Sequence, residues 1–177
     1  MRACRSLARI LFVSLSAAAL VLAGCGGDDN KDSSNNNGTG LTGGGSTITQ
    51  GNVSTVYGNA FAALGAAMSK GPGTYHGTSS GTVVVAMSTG KVAQNVRYSL
   101  VFDNYSDDGI TILDGTVTIA MSVSSQSVSY TYTGNLDISG TYQGTLEISL
   151  TGGSTGMPSG YVKVNGTKYN ITNGTVG

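Results

Sequence analysis

The chain has 177 residues, 28 of them glycine, with 10% charged residues, two prolines and no tryptophan. That length allows one domain, or one domain plus a tail, and the low charge argues for short strands and turns over a long helical bundle. The formal net charge of zero conceals an asymmetry: Arg2, Arg5 and Arg9 open the chain without an acidic residue, and beyond residue 24 six basic residues face nine acidic ones, near −3, which excludes a basic patch suited to nucleic acid.

Behind the three arginines, Ile10 to Leu22 is an apolar run of 13 residues. Spanning a bilayer takes about 20, whereas a signal-peptide h-region has this length. The run ends in Leu22-Ala23-Gly24-Cys25, which resembles the lipobox of bacterial lipoprotein precursors. The resemblance implies transfer of diacylglycerol to the Cys25 thiol and cleavage between Gly24 and Cys25. Its chemistry fits the residues, since small side chains leave the backbone open to a peptidase and the sulfur supplies the nucleophile. Cys4 lies in the segment to be removed, so no second cysteine remains for a disulfide. Two or three acyl chains on Cys25 make the membrane a stable partner, where one would hold it only marginally. Gly26 stands where enteric bacteria use Asp to retain lipoproteins in the inner membrane, so the analogy points to the outer membrane of the cell envelope.

Residues 1–24 are thus read as the signal, 25–47 as a tether and 48–177 as the folded domain. The tether carries almost no apolar side chain and cannot offset the entropy of ordering. Asp28, Asp29 and Asp32 within it read as a solvated spacer.

Val53, Val56, Tyr57, Ala60, Phe61, Leu64, Ala67 and Met68 recur at helical spacing. Asn52 is the expected N-cap, and Lys70-Gly71-Pro72 the stop. The opposite face is Ala, Gly, Ser and Asn, which suggests a helix flanked on more than one side.

From Gly81 the period becomes two. Val83, Val85 and Met87 share a face, as do Val96, Tyr98, Leu100 and Phe102, then Ile110 and Ile112. The phase then slips to Val117, Ile119, Met121 and Val123, which a bulge at Asp114-Gly115 would explain. A loop at 124–127 sets Val123 opposite Val128, Met121 opposite Tyr130, Ile119 opposite Tyr132, Val117 opposite Gly134 and Gly115 opposite Leu136. A three-residue loop at 139–141 then pairs Ile138 with Tyr142 and Leu136 with Gly144. Asn165-Gly166 is a type I′ hairpin signal. Gly-led strands recur at Gly81, Gly115, Gly134, Gly144 and Gly160, without the fixed period of a solenoid. The expected fold is mainly β: a curved antiparallel meander of about seven strands, barrel-like or half-barrel, with the amphipathic helix on its concave face. This pattern loosely resembles lipoproteins of unknown function from environmental bacteria, a resemblance that implies no activity.

Catalytic chemistry has little to stand on. His76 is the sole histidine, and no Gly-x-Ser-x-Gly elbow precedes a helix. Asp103, Asp107 and Asp108, with Asn104, are candidate calcium ligands in the connection 103–109, but they lack the alternation of an EF-hand, and a polar turn is the preferred reading. Zinc lacks its ligands, and no cofactor is expected. Asn52, Asn104, Asn165, Asn170 and Asn173 begin Asn-x-Ser/Thr triplets that reflect composition. Tyr98, Tyr130, Tyr132, Tyr142 and Tyr169 fall on the inward face, where they are core residues or line an apolar pocket. The expected function is a non-enzymatic envelope lipoprotein, structural or interacting with an envelope protein. The alternative is a carrier of lipid or a small apolar ligand on the concave face.

Overall fold

A computed structural model describes residues 45–90, 95–124, 127–154 and 156–177. The signal segment, Gly24, Cys25 and the tether as far as residue 44 lie outside the described residues. Helix α1 (Val53–Ser69) buries Val53, Val56, Tyr57, Ala60, Leu64, Ala67 and Met68, the stripe set by their spacing. It ends where Gly71, at φ +80, takes the left-handed conformation and donates its N–H to Met68 O at 3.1 Å. Asn52 holds the cap position, but its side chain reaches backward. Its Oδ1 accepts the Thr49 N–H at 2.7 Å and its amide donates to Thr47 O, so the helix N–H groups receive no side-chain cap. Ser54, Thr55, Gly58, Ala62, Gly65 and Ala66 are exposed. The helix is therefore packed on one face only, contrary to the sequence expectation.

The sheet is mainly antiparallel and open. Its strands are β1 (Ser46–Thr47), β2 (Gly73–His76), β3 (Ser80–Thr89), β4 (Asn95–Ser106), β5 (Thr111–Val123), β6 (Val128–Gly140), β7 (Tyr142–Gly153), β8 (Gly156–Val164), β9 (Thr167–Thr172) and β10 (Thr175–Val176). From β2 to β10 they form an uninterrupted meander in chain order, while β1 lies parallel to the start of β7. The seven long strands expected from alternation are all present. The three additional ones are short: β2 and β10 at the edges, and β1 from what was read as tether. The tether boundary moves accordingly, because the Ser46 N–H donates to Thr141 O and the Ile48 N–H to Gln143 O.

The β5–β6 register is the expected one, with Val123 opposite Val128, Ile119 opposite Tyr132 and Gly115 opposite Leu136. The β6–β7 register is shifted by two residues: Ile138 pairs with Gly144 and Leu136 with Leu146. Ser139 and Gly140 continue the ladder to β5, and the Thr141 N–H donates to Ile110 O, so the chain turns later than a three-residue loop allows. The phase slip in β5 is also corrected. Thr111, Leu113, Val117 and Ile119 are buried in one continuous alternation, leaving Ile112 half-buried and Ile110 52% exposed. The irregularity falls instead on β4, between Phe102 and Tyr105. Asn104 adopts φ +48 there, and Gly81 on β3 accommodates it, since a Cβ on Gly81 would meet Asn104 O and Asp103 O at 2.2 Å. Met87 keeps the inward register, opposite Tyr98, but lies near the end of β3 and is exposed.

Strand spacing gives the sheet its shape. Seven spacings separate β3 from β10, about 34 Å if the sheet were flat, whereas a 17-residue helix is about 25 Å long. Yet α1 packs against β3, β4 and β5 near one edge and β10 at the other. The sheet therefore curls around the helix, and residues from Val83 on β3 to Ile171 on β9 join one core with α1.

The curl depends on glycine at close strand approaches. Gly115 has φ +124, and a Cβ there would lie 2.4 Å from Asn135 O. Gly115→Ala should cost about 2 kcal/mol or more through backbone strain alone, and Leu136→Ala about 3 kcal/mol through a core cavity. Ile110→Ala, on an exposed residue, should change stability by about 0.5 kcal/mol or less. Urea unfolding of the three variants tests this ordering, and an Ile110→Ala cost equal to that of Leu136→Ala would contradict the observed phase of β5.

Candidate functional sites

The five tyrosines read as inward-facing, as core or as a pocket lining, divide into two groups. Tyr98 and Tyr132 flank Ile119 in one cross-strand row, and Tyr130 pairs with Met121 in the next. Tyr142 lies at the opposite end of the sheet, beside Ser46, and Tyr169 lies on β9 opposite Val162. The space before the first group is occupied by α1. Tyr57 and Phe61, one turn apart, have ring centroids 4.5 Å from each other, and Phe61 continues to Tyr132 at 5.6 Å. Tyr130 meets Tyr132 edge-on at 5.6 Å and donates its hydroxyl to Gly156 O. Tyr98 and Tyr132 are core residues, with Tyr130, Tyr142 and Tyr169 packed against the core, and Tyr130 and Tyr132 join an interlocked aromatic cluster. Burial, reinforced by the Tyr132 and Tyr130 hydroxyls, pushes the Tyr57 hydroxyl up to about 12. Burial and Tyr130 push Tyr132 to about 12 as well. These phenols stay protonated at neutral pH and supply no base.

The aspartates of the β4–β5 connection brace the chain. Tyr105, with no exposed surface, donates its hydroxyl to Asp107 Oδ2 at 2.6 Å. The Lys70 ammonium donates to the same hydroxyl at 3.3 Å and lies over the Tyr75 and Tyr105 rings. Asp107 Oδ1 accepts the Thr78 N–H at 3.0 Å. Asp108 Oδ1 accepts the N–H groups of Ile110 and Thr111 and the Ser106 hydroxyl. Asp103 accepts from the Asn104 amide. The three carboxylates thus serve separate partners. Among the described residues no group of three His, Cys, Asp or Glu side chains is placed to hold a metal.

His76 ends β2, exposed, opposite Thr82. Among the described residues it makes no hydrogen bond to a serine or an aspartate. Gly77-Thr78-Ser79-Ser80-Gly81 follows it with elbow-like spacing but leads into β3. The Ser79 hydroxyl donates to Asp107 O and the Ser80 hydroxyl to Asn104 O, so both serines brace the turn.

A site that alternation did not single out lies on the outer face. Ser88, Arg97, Ala120 and Thr131 form one cross-strand row over β3 to β6, and Asn95, Ser122 and Ser129 the next. They alternate with inward Val96, Met121 and Tyr130, so their side chains project from the convex side. Around Ala120 they border an open recess of about 380 Å³, lined by no carboxylate among the described residues. The sequence held one signal for it: Arg97 is the only arginine after residue 24. Rows of Ser and Thr on an exposed strand face otherwise read as solvated surface.

Comparison with protein-family models, with curated proteins and with solved structures returns no match to this chain.

The aspartate braces have a pH signature. Partial burial acts to raise the Asp107 carboxyl, but the Tyr105 hydroxyl, the Thr78 N–H and Lys70 outweigh it and hold the group below its usual range. Asp108 is likewise lowered, burial being outweighed by the N–H groups of Thr111 and Ile110 and by Ser106. A folded-state value below the unfolded one means that the unfolded chain binds more protons in this window. The stabilisation is present above about pH 4 and is lost as pH falls through the depressed folded values. Urea titrations should show stability falling with acidification below that point. The Asp107→Asn and Asp108→Asn variants should each be less stable at pH 7 and show a shallower acid decline. An unchanged acid decline in both variants would contradict the assignment.

Proposed function

We propose that the protein is a lipid-anchored envelope protein, tethered through Cys25, whose domain is a rigid non-enzymatic module that presents its outer face and loop end to other envelope components. The observation that carries this reading is the position of β1. The chain enters the domain beside Tyr142 and Gln143, at the end that holds the β4–β5, β6–β7 and β8–β9 turns. Asn165 seals that entry, its Oδ1 accepting the Thr145 N–H while its amide donates to Ile48 O. The connections β3–β4, β5–β6 and β7–β8, together with the recess around Ala120, lie at the far end.

A carrier role would need open space on the concave face, and α1 fills that face with Tyr57, Leu64 and Met68 at 7% exposure or less. Display is therefore preferred to transport. The exposed surface combines a hydroxylated outer sheet with short edge strands, a form suited to contact with a partner.

Metabolic labelling with a clickable fatty acid tests the anchor. Wild-type protein should carry label and fractionate with membranes, while Cys25→Ala should carry none and be released from the membrane fraction. Label in both proteins, or in neither, would contradict the reading.

A further inference from the structure

The cationic side chains among the described residues are not equivalent. Lys163 donates to both oxygens of Glu147, at 2.9 and 3.0 Å. Lys168 lies 4.6 Å from the centroid of the Tyr161 ring, and Lys70 is held by Tyr105 and Tyr75. Arg97 alone has neither an ion pair, a side-chain hydrogen bond nor a ring partner among the described residues. It stands on the wall of the recess, next to the small floor residue Ala120 and across the ladder from Ser88. Backbone pairing on both sides of β4 fixes its root. The rest of the described lining is uncharged, polar at Asn95, Ser122, Ser129 and Thr131 and apolar at Val96 and Met121.

We propose that this recess binds a small, soluble, polyhydroxylated oxyanion, a sugar acid or sugar phosphate, with the Arg97 guanidinium on the carboxylate or phosphate. A guanidinium presents a planar fork of donors that matches either group. Serine and threonine hydroxyls and an asparagine amide each donate and accept, as sugar hydroxyls require. They repeat across the strands at about 4.8 Å, within reach of successive hydroxyls on one ring. A volume of about 380 Å³ is at the small end of ligand sites and suits one or two sugar rings. Among the described residues no carboxylate lines the wall to compete for the guanidinium. The recess lies at the end of the sheet away from β1. The proposal does not depend on lipidation of Cys25.

The test is nuclear magnetic resonance of the ¹⁵N-labelled full chain in a detergent without a sugar headgroup, titrated with glucuronate, glucose 6-phosphate and glucose. Glucuronate and glucose 6-phosphate should each shift the amides of residues 95–97, 120–122 and 129–131, with a Kd near about 1 mM that weakens in high salt. Glucose should bind at least about ten-fold more weakly, the loss of one charged contact. Arg97→Gln should weaken the anions by a similar factor while leaving other amides in place, and Ala120→Leu, which fills the floor, should abolish the shifts. Equal binding by Arg97→Gln, equal binding of glucose, shifts confined to other regions, or no shift with either anion would each overturn the proposal. Unlipidated Cys25→Ala protein is also spun with phosphatidylglycerol vesicles. Failure to sediment supports a soluble ligand, and Arg97-dependent sedimentation would assign the oxyanion to a lipid headgroup and overturn the soluble source.

Discussion

The burial of one face of α1 against a sheet that curls to meet it is the interaction on which the rest of this molecule depends. A meander of nine strands, with a single helix to cover it, cannot bury its apolar face while flat. Curling brings the strands near both edges to the same helix, so residues from β3 to β9 close into one core with α1. The helix contributes little by itself: it has no side-chain cap, no acidic residue in its first turn and no basic residue in its last. Its stability comes from the contact, which is the usual origin of helix stability in small domains.

The same interaction decides which surfaces are free. Because α1 occupies the concave side, the tyrosines there act as packing groups, and Tyr57, Phe61, Tyr132 and Tyr130 interlock by their rings. The convex face and the loop ends are left exposed. The turn end carries the chain entry and its braces, Asn165 on Ile48 and Asp107 on Thr78 and Tyr105. The far end carries the Arg97 recess. The chain entry and the Arg97 recess thus lie at opposite ends of the strands.

Much of this was legible in the sequence because local patterns carried it. Val123 and Val128 pair as the four-residue connection requires, and glycine faces large side chains at Gly115–Leu136. Asn165 and Gly166, at φ +49 and +84, make the expected turn. What escaped was decided by non-local bonds. The β6–β7 register depends on the Thr141 N–H meeting Ile110 O, and the bulge in β4 depends on Gly81 lying opposite Asn104. On β5, Ile110 and Ile112 compete with Thr111 and Leu113 for the inward phase, and hydrophobicity alone favours the wrong pair. The two-residue strands are too short to show a period. Arg97 was invisible as a site because its meaning lies in what its cross-strand neighbours lack, which is a carboxylate.

Native-state amide hydrogen exchange tests the central claim most directly, since it measures the opening free energy of each element within the folded protein. If the curled sheet and α1 form one core, the interior amides of α1 from Tyr57 to Met68 should open only with those of Val117, Ile119 and Leu136, at the global unfolding free energy. Exchange of α1 through a separate, lower-energy opening, with the sheet still protected, would contradict the account.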